Sequence, residues 1–100
     1  MPYELRIAPS ALEELKATKT YDRRRIVDVI DSELRQQPSV AARNRKLLHG
    51  LEPDFTDVDP VWELRTGQYR VFYDVNEEAK VVEVLAIRFK PPHSSTETIV

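Results

Sequence analysis

The chain has 100 residues, 41% of them hydrophobic, and a formal net charge of −2. That suffices for one domain around a modest core and excludes a disordered chain. The slight acidity excludes global steering toward nucleic acid, and the absence of cysteine excludes disulfides, thiolate catalysis and cysteine-bound zinc.

Tyr3, Leu5 and Ile7 alternate with Glu4 and Arg6, which predicts an opening strand stopped by Pro9. Ser10-Ala-Leu-Glu13 has capping-box spacing, and Ala11, Leu12 and Leu15 give a short helix its apolar stripe. Thr20 is placed to cap a second helix, with Asp22 at its positive end and Ile26, Val27, Ile30 and Leu34 at helical spacing. The two helices are expected to form a hairpin turning across residues 17–19. Gln37 before Pro38 disfavours helix there. Residues 39–48 are expected to hold one helical turn. Residues 50–60, with two prolines and four acids, are expected to form an exposed loop.

Trp62 to Val75 reads as two strands turning at Thr66-Gly67, where glycine can supply a positive φ. This turn pairs Arg65 with Gln68, Leu64 with Tyr69 and Glu63 with Arg70. Alternation then puts Trp62, Leu64, Tyr69, Val71 and Tyr73 on one face and Glu63, Arg65 and Arg70 on the other. Asn76 to Ala79 is a second turn. Val81 to Phe89 is apolar on both faces and reads as an interior strand. Continued register puts Val82, Val84, Ala86, Arg88 and Lys90 on the face of Arg70. Pro91-Pro92 ends the strand, and residues 93–100 are expected to be a mobile tail.

The predicted fold class is α+β: an N-terminal strand, a two-helix hairpin, then a three-stranded antiparallel meander. It forms a single domain over residues 1–100, with the helices on one face of one twisted sheet. The other face is expected to stay partly open, with Arg65, Phe72, Arg88 and Lys90 around Arg70.

That open face carries the chemistry. Arginine offers a planar fork to two phosphate oxygens, so Arg70 is the first candidate for a phosphate clamp. Arg88 and Lys90, two residues apart, point to the same side. Arg43, Arg45 and Lys46 can track an RNA backbone without reading its sequence. Phe72, exposed on an uncovered face, is a candidate for stacking on a base or for cover by a protein partner. Glu63 is either a general base or the ion-pair partner of Arg70 or Arg65. His49 and His93 are weaker candidates for proton transfer. Arg23-Arg24-Arg25 reads as the polar face of a helix.

No metal set is evident: the histidines are far apart and the acids of 52–59 lack calcium-loop spacing. Two glycines are too few for a phosphate-cradling loop. No apolar run is long enough for a bilayer and no signal-peptide pattern opens the chain, so a cytoplasmic protein is expected.

The order strand–helix–helix–three strands, with Leu64-Arg-Thr-Gly-Gln-Tyr-Arg-Val-Phe-Tyr-Asp-Val75 at its centre, resembles the RelE/ParE toxin superfamily. Arg43-Asn-Arg-Lys-Leu-Leu48 before it and Val84-Leu-Ala-Ile-Arg-Phe-Lys90 after it match in place. The resemblance implies the toxin of a type II toxin–antitoxin pair, a cause of growth arrest, held inactive by a cognate protein antitoxin and needing no cofactor. In the RelE branch such toxins cut mRNA on the ribosome and inhibit translation. In the ParE branch they inhibit DNA gyrase without chemistry. Resemblance to the RelE branch implies Arg70 and Lys90 as catalytic residues, and Arg45 and Lys46 as lining the same RNA groove; their placement on that face adds Arg88 to the catalytic candidates and Arg43 and Arg65 to the RNA-binding ones. Phe72 is assigned to antitoxin contact. The chain departs from that branch in Val61 and Glu63, where several nucleases carry lysines, and in Arg88, where glycine is usual. Pro91, Pro92 and His93 stand where a catalytic tyrosine or histidine often follows. The alternatives are a ParE-like gyrase inhibitor and an inactive toxin-fold binding protein.

Overall fold

The computed structural model describes residues 2–100. It contains β1 (Glu4–Ile7), α1 (Pro9–Lys16), α2 (Thr20–Val29), β2 (Arg45–Leu48), β3 (Val61–Thr66), β4 (Tyr69–Asn76), β5 (Val81–Phe89) and α3 (Thr96–Ile99). The strands form one sheet in the order β1-β5-β4-β3-β2, with β1 parallel to β5 and every other pair antiparallel. The α+β class and the interior position of β5 stand as predicted. The sheet has one strand more, because the expected helical turn within 39–48 is instead β2. Leu47 pairs with Trp62 and Lys46 with Glu63, so β2 gives β3 the backbone partners it would otherwise lack. A local reading of 39–48 does not contain that requirement. Among the described residues no helix is long and apolar enough to cross a membrane.

The helices start one position or more before their expected caps. Pro9 is the first residue of α1, where its missing N–H costs nothing, and Ala8 is the N-cap. Ser10 therefore lies inside the first turn and Glu13 beyond it, and they form no capping box. Lys19, rather than Thr20, is the N-cap of α2, and Asp22 sits in its first turn as expected. The α2 backbone continues into a wide π-helical turn over Ile30–Leu34 before Pro38. Ala11, Leu15, Ile26, Ile30 and Leu34 pack on Leu64, Val71, Tyr73, Val82, Val84 and Ile87 to form the main core.

Three sequence expectations about the sheet change here. The β3–β4 turn falls at Gly67-Gln68, so Thr66 pairs with Tyr69, Arg65 with Arg70 and Glu63 with Phe72. The shift moves pairs by an even total, so each side chain keeps its expected face. On β5, Tyr73 pairs with Val84 and Phe72 with Ala86, leaving Leu85 as a bulge. The bulge turns Val82 and Val84 to the helix side while Ala86 and Arg88 stay on the Arg70 side. Finally, the second face is covered. Leu51, Val61, Phe72, Leu85 and Ala86 form a second core, packed by Leu48, Phe55, Ile99 and Val100. Phe72 is fully buried, with the Phe55 ring 5.3 Å away. The exposed-aromatic reading of Phe72 is thereby overturned. The 50–60 loop, expected to be exposed, and the 93–100 segment, expected to be a mobile tail, are the elements that cover it.

Tyr73 crosses the main core and donates its hydroxyl to the Pro38 carbonyl at 2.7 Å. Burial pushes its phenol above the ordinary range, nearby Arg45 opposes this, and Glu33 adds to it. The folded state therefore holds this proton more tightly than the unfolded chain, whose tyrosine titrates near about 10. Stability is full below that pH and falls as pH rises through and above it. Melting temperatures from pH 8 to 11 are expected to drop more steeply in the wild type than in Tyr73→Phe. Equal slopes would refute the assignment.

Candidate functional site

The second sheet face ends, past its apolar core, in charge. Arg65, Arg70 and Arg88 stand opposite one another across β3, β4 and β5. Like charges directly opposed are destabilising in a sheet, so this row costs stability. The structure offsets it unevenly. Arg88 Nε lies 2.6 Å from Glu14 Oε2 and its Nη2 is 3.4 Å from Asp54. Its Nη1 donates to the Ile99 carbonyl at 3.0 Å, and its guanidinium lies 5.3 Å over Phe55. Glu14 also accepts from the Ile87 N–H at 3.0 Å, on the part of β5 that extends past β1. Arg88 thus ties α1, the 50–60 loop and the C-terminal segment together. Expected as a phosphate ligand, it is occupied by two carboxylates.

Arg70 has no carboxylate within 4.0 Å among the described residues. Only 9% exposed, it donates through Nη1 to the carbonyls of Gly67 at 3.1 Å and Tyr69 at 2.9 Å. Burial holds it below the ordinary arginine value, Glu63 opposes that, and Arg65 reinforces it. It stays cationic at neutral pH. The bonds to Gly67 and Tyr69 orient the guanidinium and leave its other donors for a ligand.

Of the arginine row, Arg65 and Arg70, but not Arg88, border a cleft of about 180 Å³. Arg43, Lys46, Arg65, Arg70 and Lys90 all line it, as does Arg45. The topology explains the convergence. Lys46 sits opposite Glu63, Arg65 opposite Arg70, and Lys90 follows β5 with its N–H donated to Gln68 at 2.6 Å. Arg45, in contrast, is opposite Leu64 and so turns to the helix side, where Glu33 and the Val40 carbonyl hold its guanidinium. Expected on an RNA backbone, it is a buried structural ion pair at the cleft wall. Neither His49 nor His93 lines the cleft, and both are exposed.

Glu63 is the one carboxylate in the cleft lining, and it is only 3% exposed. Lys46 Nζ is 3.8 Å from Oε1, and Thr96 donates its hydroxyl to Oε2 at 3.0 Å. It does not pair directly across the hairpin with Arg70, as the sequence turn implied; Phe72 is opposite it. Thr96 is the residue that sequence reasoning missed. The signal lay in Ile99 and Val100, two apolar residues able to dock the segment that carries it. Among the described residues no cluster of His, Asp and Glu fits a metal ion.

The family model described as the ParE toxin of type II toxin–antitoxin systems matches residues 5–89. No curated protein sequence matches the chain. Among solved structures, the chain resembles the RelBE2 toxin–antitoxin complex of Mycobacterium tuberculosis (21% identity, TM-score 0.73, covering 90% of this chain and 100% of that one). The archaeal RelE–RelB complex of Pyrococcus horikoshii matches at 26% identity and TM-score 0.70, over 95% of this chain and 100% of that one. A free E. coli RelE toxin carrying two arginine-to-alanine changes matches at 27% and 0.65, over 94% and 88%. With a RelE-like sheet, its helix pair and a family match spanning most of its length, the chain belongs to the ParE toxins of type II toxin–antitoxin systems.

Proposed function

We infer that this toxin is a metal-independent endoribonuclease that cleaves mRNA on the ribosome and so inhibits translation. The observation that carries the reading is the cleft itself, in which Arg43, Lys46, Arg65, Arg70 and Lys90 surround one buried carboxylate, Glu63. RNA cleavage by the ribose 2′-hydroxyl forms an O2′–P bond and breaks the P–O5′ bond. It needs a base for the 2′ proton, positive charge on the phosphorane-like transition state and an acid for the leaving oxygen. Glu63 is the base. Arg70 and Arg65 supply preorganised positive charge at the phosphoryl oxygens, the kind of electrostatic aid that dominates such reactions. A guanidinium cannot give up its proton, whereas an ammonium can. Lys46 is engaged with Glu63, while Lys90 has no carboxylate within 4.0 Å among the described residues. Lys90 therefore serves the leaving 5′ oxygen. The solved RelBE2 and RelE–RelB complexes support a cognate protein antitoxin as the partner that holds this chain inactive.

A second reading, a gyrase inhibitor that performs no chemistry, is favoured by the ParE family model. Induced expression with separate readouts separates the two. The nuclease reading expects arrest of amino-acid incorporation within minutes, with cleaved mRNA and intact DNA. Filamentation and broken DNA with translation continuing would replace it by the gyrase reading.

A further inference from the structure

Two guanidiniums from different elements meet at Gly67. Arg70 Nη1 donates to its carbonyl at 3.1 Å. Arg25 reaches the same residue from α2, so closely that a Cβ added there would stand 2.3 Å from its Nη2. Gly67 also has φ +60°, so the tip excludes a side chain on two grounds. The cations of the cleft are thus continuous, across the hairpin tip, with those of α2.

Beyond the tip the surface carries exposed cations beside an exposed aromatic ring. Arg25 lies 5.9 Å over the Tyr21 ring, and Tyr21 is 76% exposed. Lys19 and Arg24 are exposed, and neither has a carboxylate within 4.0 Å among the described residues. Arg25 has Asp22 only at 3.6 Å. Arg23 differs: it caps α1 by donating to the Lys16 and Thr18 carbonyls. From Lys19 to Asp28, four cations face two acids in a chain whose net charge is −2. An arginine beside an exposed ring pairs phosphate binding with base stacking, and that combination suits single-stranded nucleic acid.

We propose that single-stranded RNA leaving the cleft crosses the hairpin at Gly67 and continues along α2, with its phosphates on Arg25 and Arg24 and a base on Tyr21. The proposal extends the nuclease reading of the cleft and rests on it for the identity of the strand. The test compares 2′-O-methyl RNA, which lacks the attacking hydroxyl, as a trinucleotide and as a dodecamer. Binding is measured by anisotropy over a range of salt.

Wild-type protein is expected to bind the dodecamer about tenfold or more tighter than the trinucleotide. In the Tyr21→Ala/Arg24→Gln/Arg25→Gln variant that ratio is expected to fall toward one. The salt slope for the dodecamer should fall by about 1.4, at ~0.7 per lost single-strand phosphate contact. These positions are exposed, and the melting temperature checks that the variant is folded. A ratio unchanged by the triple substitution overturns the proposal. So does binding of a poly-glutamate peptide that displaces the dodecamer and is lost in the same variant, which would point to an acidic protein instead. Dodecamer binding without trinucleotide binding would keep the α2 track and remove the cleft reading. Equal binding of the two by the wild type would do the reverse, and binding of neither would end both.

Discussion

Arg70→Ala is expected to lower the single-turnover rate of mRNA cleavage on purified ribosomes by about 10²–10³-fold, the usual effect of removing one preorganised transition-state contact. The same variant should lose its growth arrest on induction. Its fold should survive, because the bonds lost run to two carbonyls at a hairpin tip that water can reach, a cost of about 1 kcal/mol. Arg70→Lys keeps the charge but loses the planar fork and the anchoring to Gly67, so an intermediate rate is expected. A rate for Arg70→Ala within twofold of wild type would remove this residue from the mechanism. Arg88→Ala provides the contrast. Its guanidinium is held by Glu14, Asp54 and the Ile99 carbonyl, so its loss acts through the docking of three segments rather than through direct phosphate contact.

Phe72→Ala is expected to destabilise the protein by about 3–5 kcal/mol, the range for a large aromatic emptied from a well-packed core. For a domain of this size each kcal/mol moves the melting temperature by roughly 4–8 °C. The shift should therefore be obvious in calorimetry or urea unfolding. The reason is placement. Phe72 is fully buried in the second core, against Phe55 of the 50–60 loop and beside Leu51, Leu85, Ile99 and Val100. A ring on an open face would cost within about 0.5 kcal/mol on truncation, and that smaller result would show that the loop and tail do not cover the sheet in solution. Limited proteolysis offers a second readout, since Phe72→Ala should expose cleavage sites in residues 50–60 and 93–100 first.

The faces of the central hairpin were legible in the sequence although its register was not. Placing the turn at Thr66-Gly67 instead of Gly67-Gln68 changes every partner. Alternation along each strand is a local property, however, and an even displacement preserves it. Glu63, Arg65 and Arg70 therefore share a face under either turn. The same logic failed on β5, because the bulge at Leu85 inserts an odd residue. Nothing in Val82-Glu83-Val84-Leu85-Ala86 announces a bulge.

The helix caps depart from the local pattern for a related reason. Ser10 and Thr20 are good local caps, yet the chain enters each helix from a direction set by β1 and by the helix hairpin, and the geometry favoured Ala8 and Lys19. Phe72 shows the largest gap between the two levels. Alternation fixes its strand position, but its environment depends on a loop and a tail with no periodic pattern of their own.

Side-chain periodicity and turn chemistry, which operate over a few residues, were enough to establish the α+β class, the interior strand and a row of arginines on one sheet face. Contacts between residues far apart in the chain decided the rest. Pairing with β3 made Arg45–Leu48 a strand, Glu33 engaged the Arg45 guanidinium at the cleft wall, Glu14 and Asp54 occupied Arg88, and Thr96 came to rest on Glu63. A charge in a sequence has no partner until the fold brings one within ion-pairing distance. Whether a given arginine awaits a phosphate or already holds a carboxylate is therefore a tertiary fact.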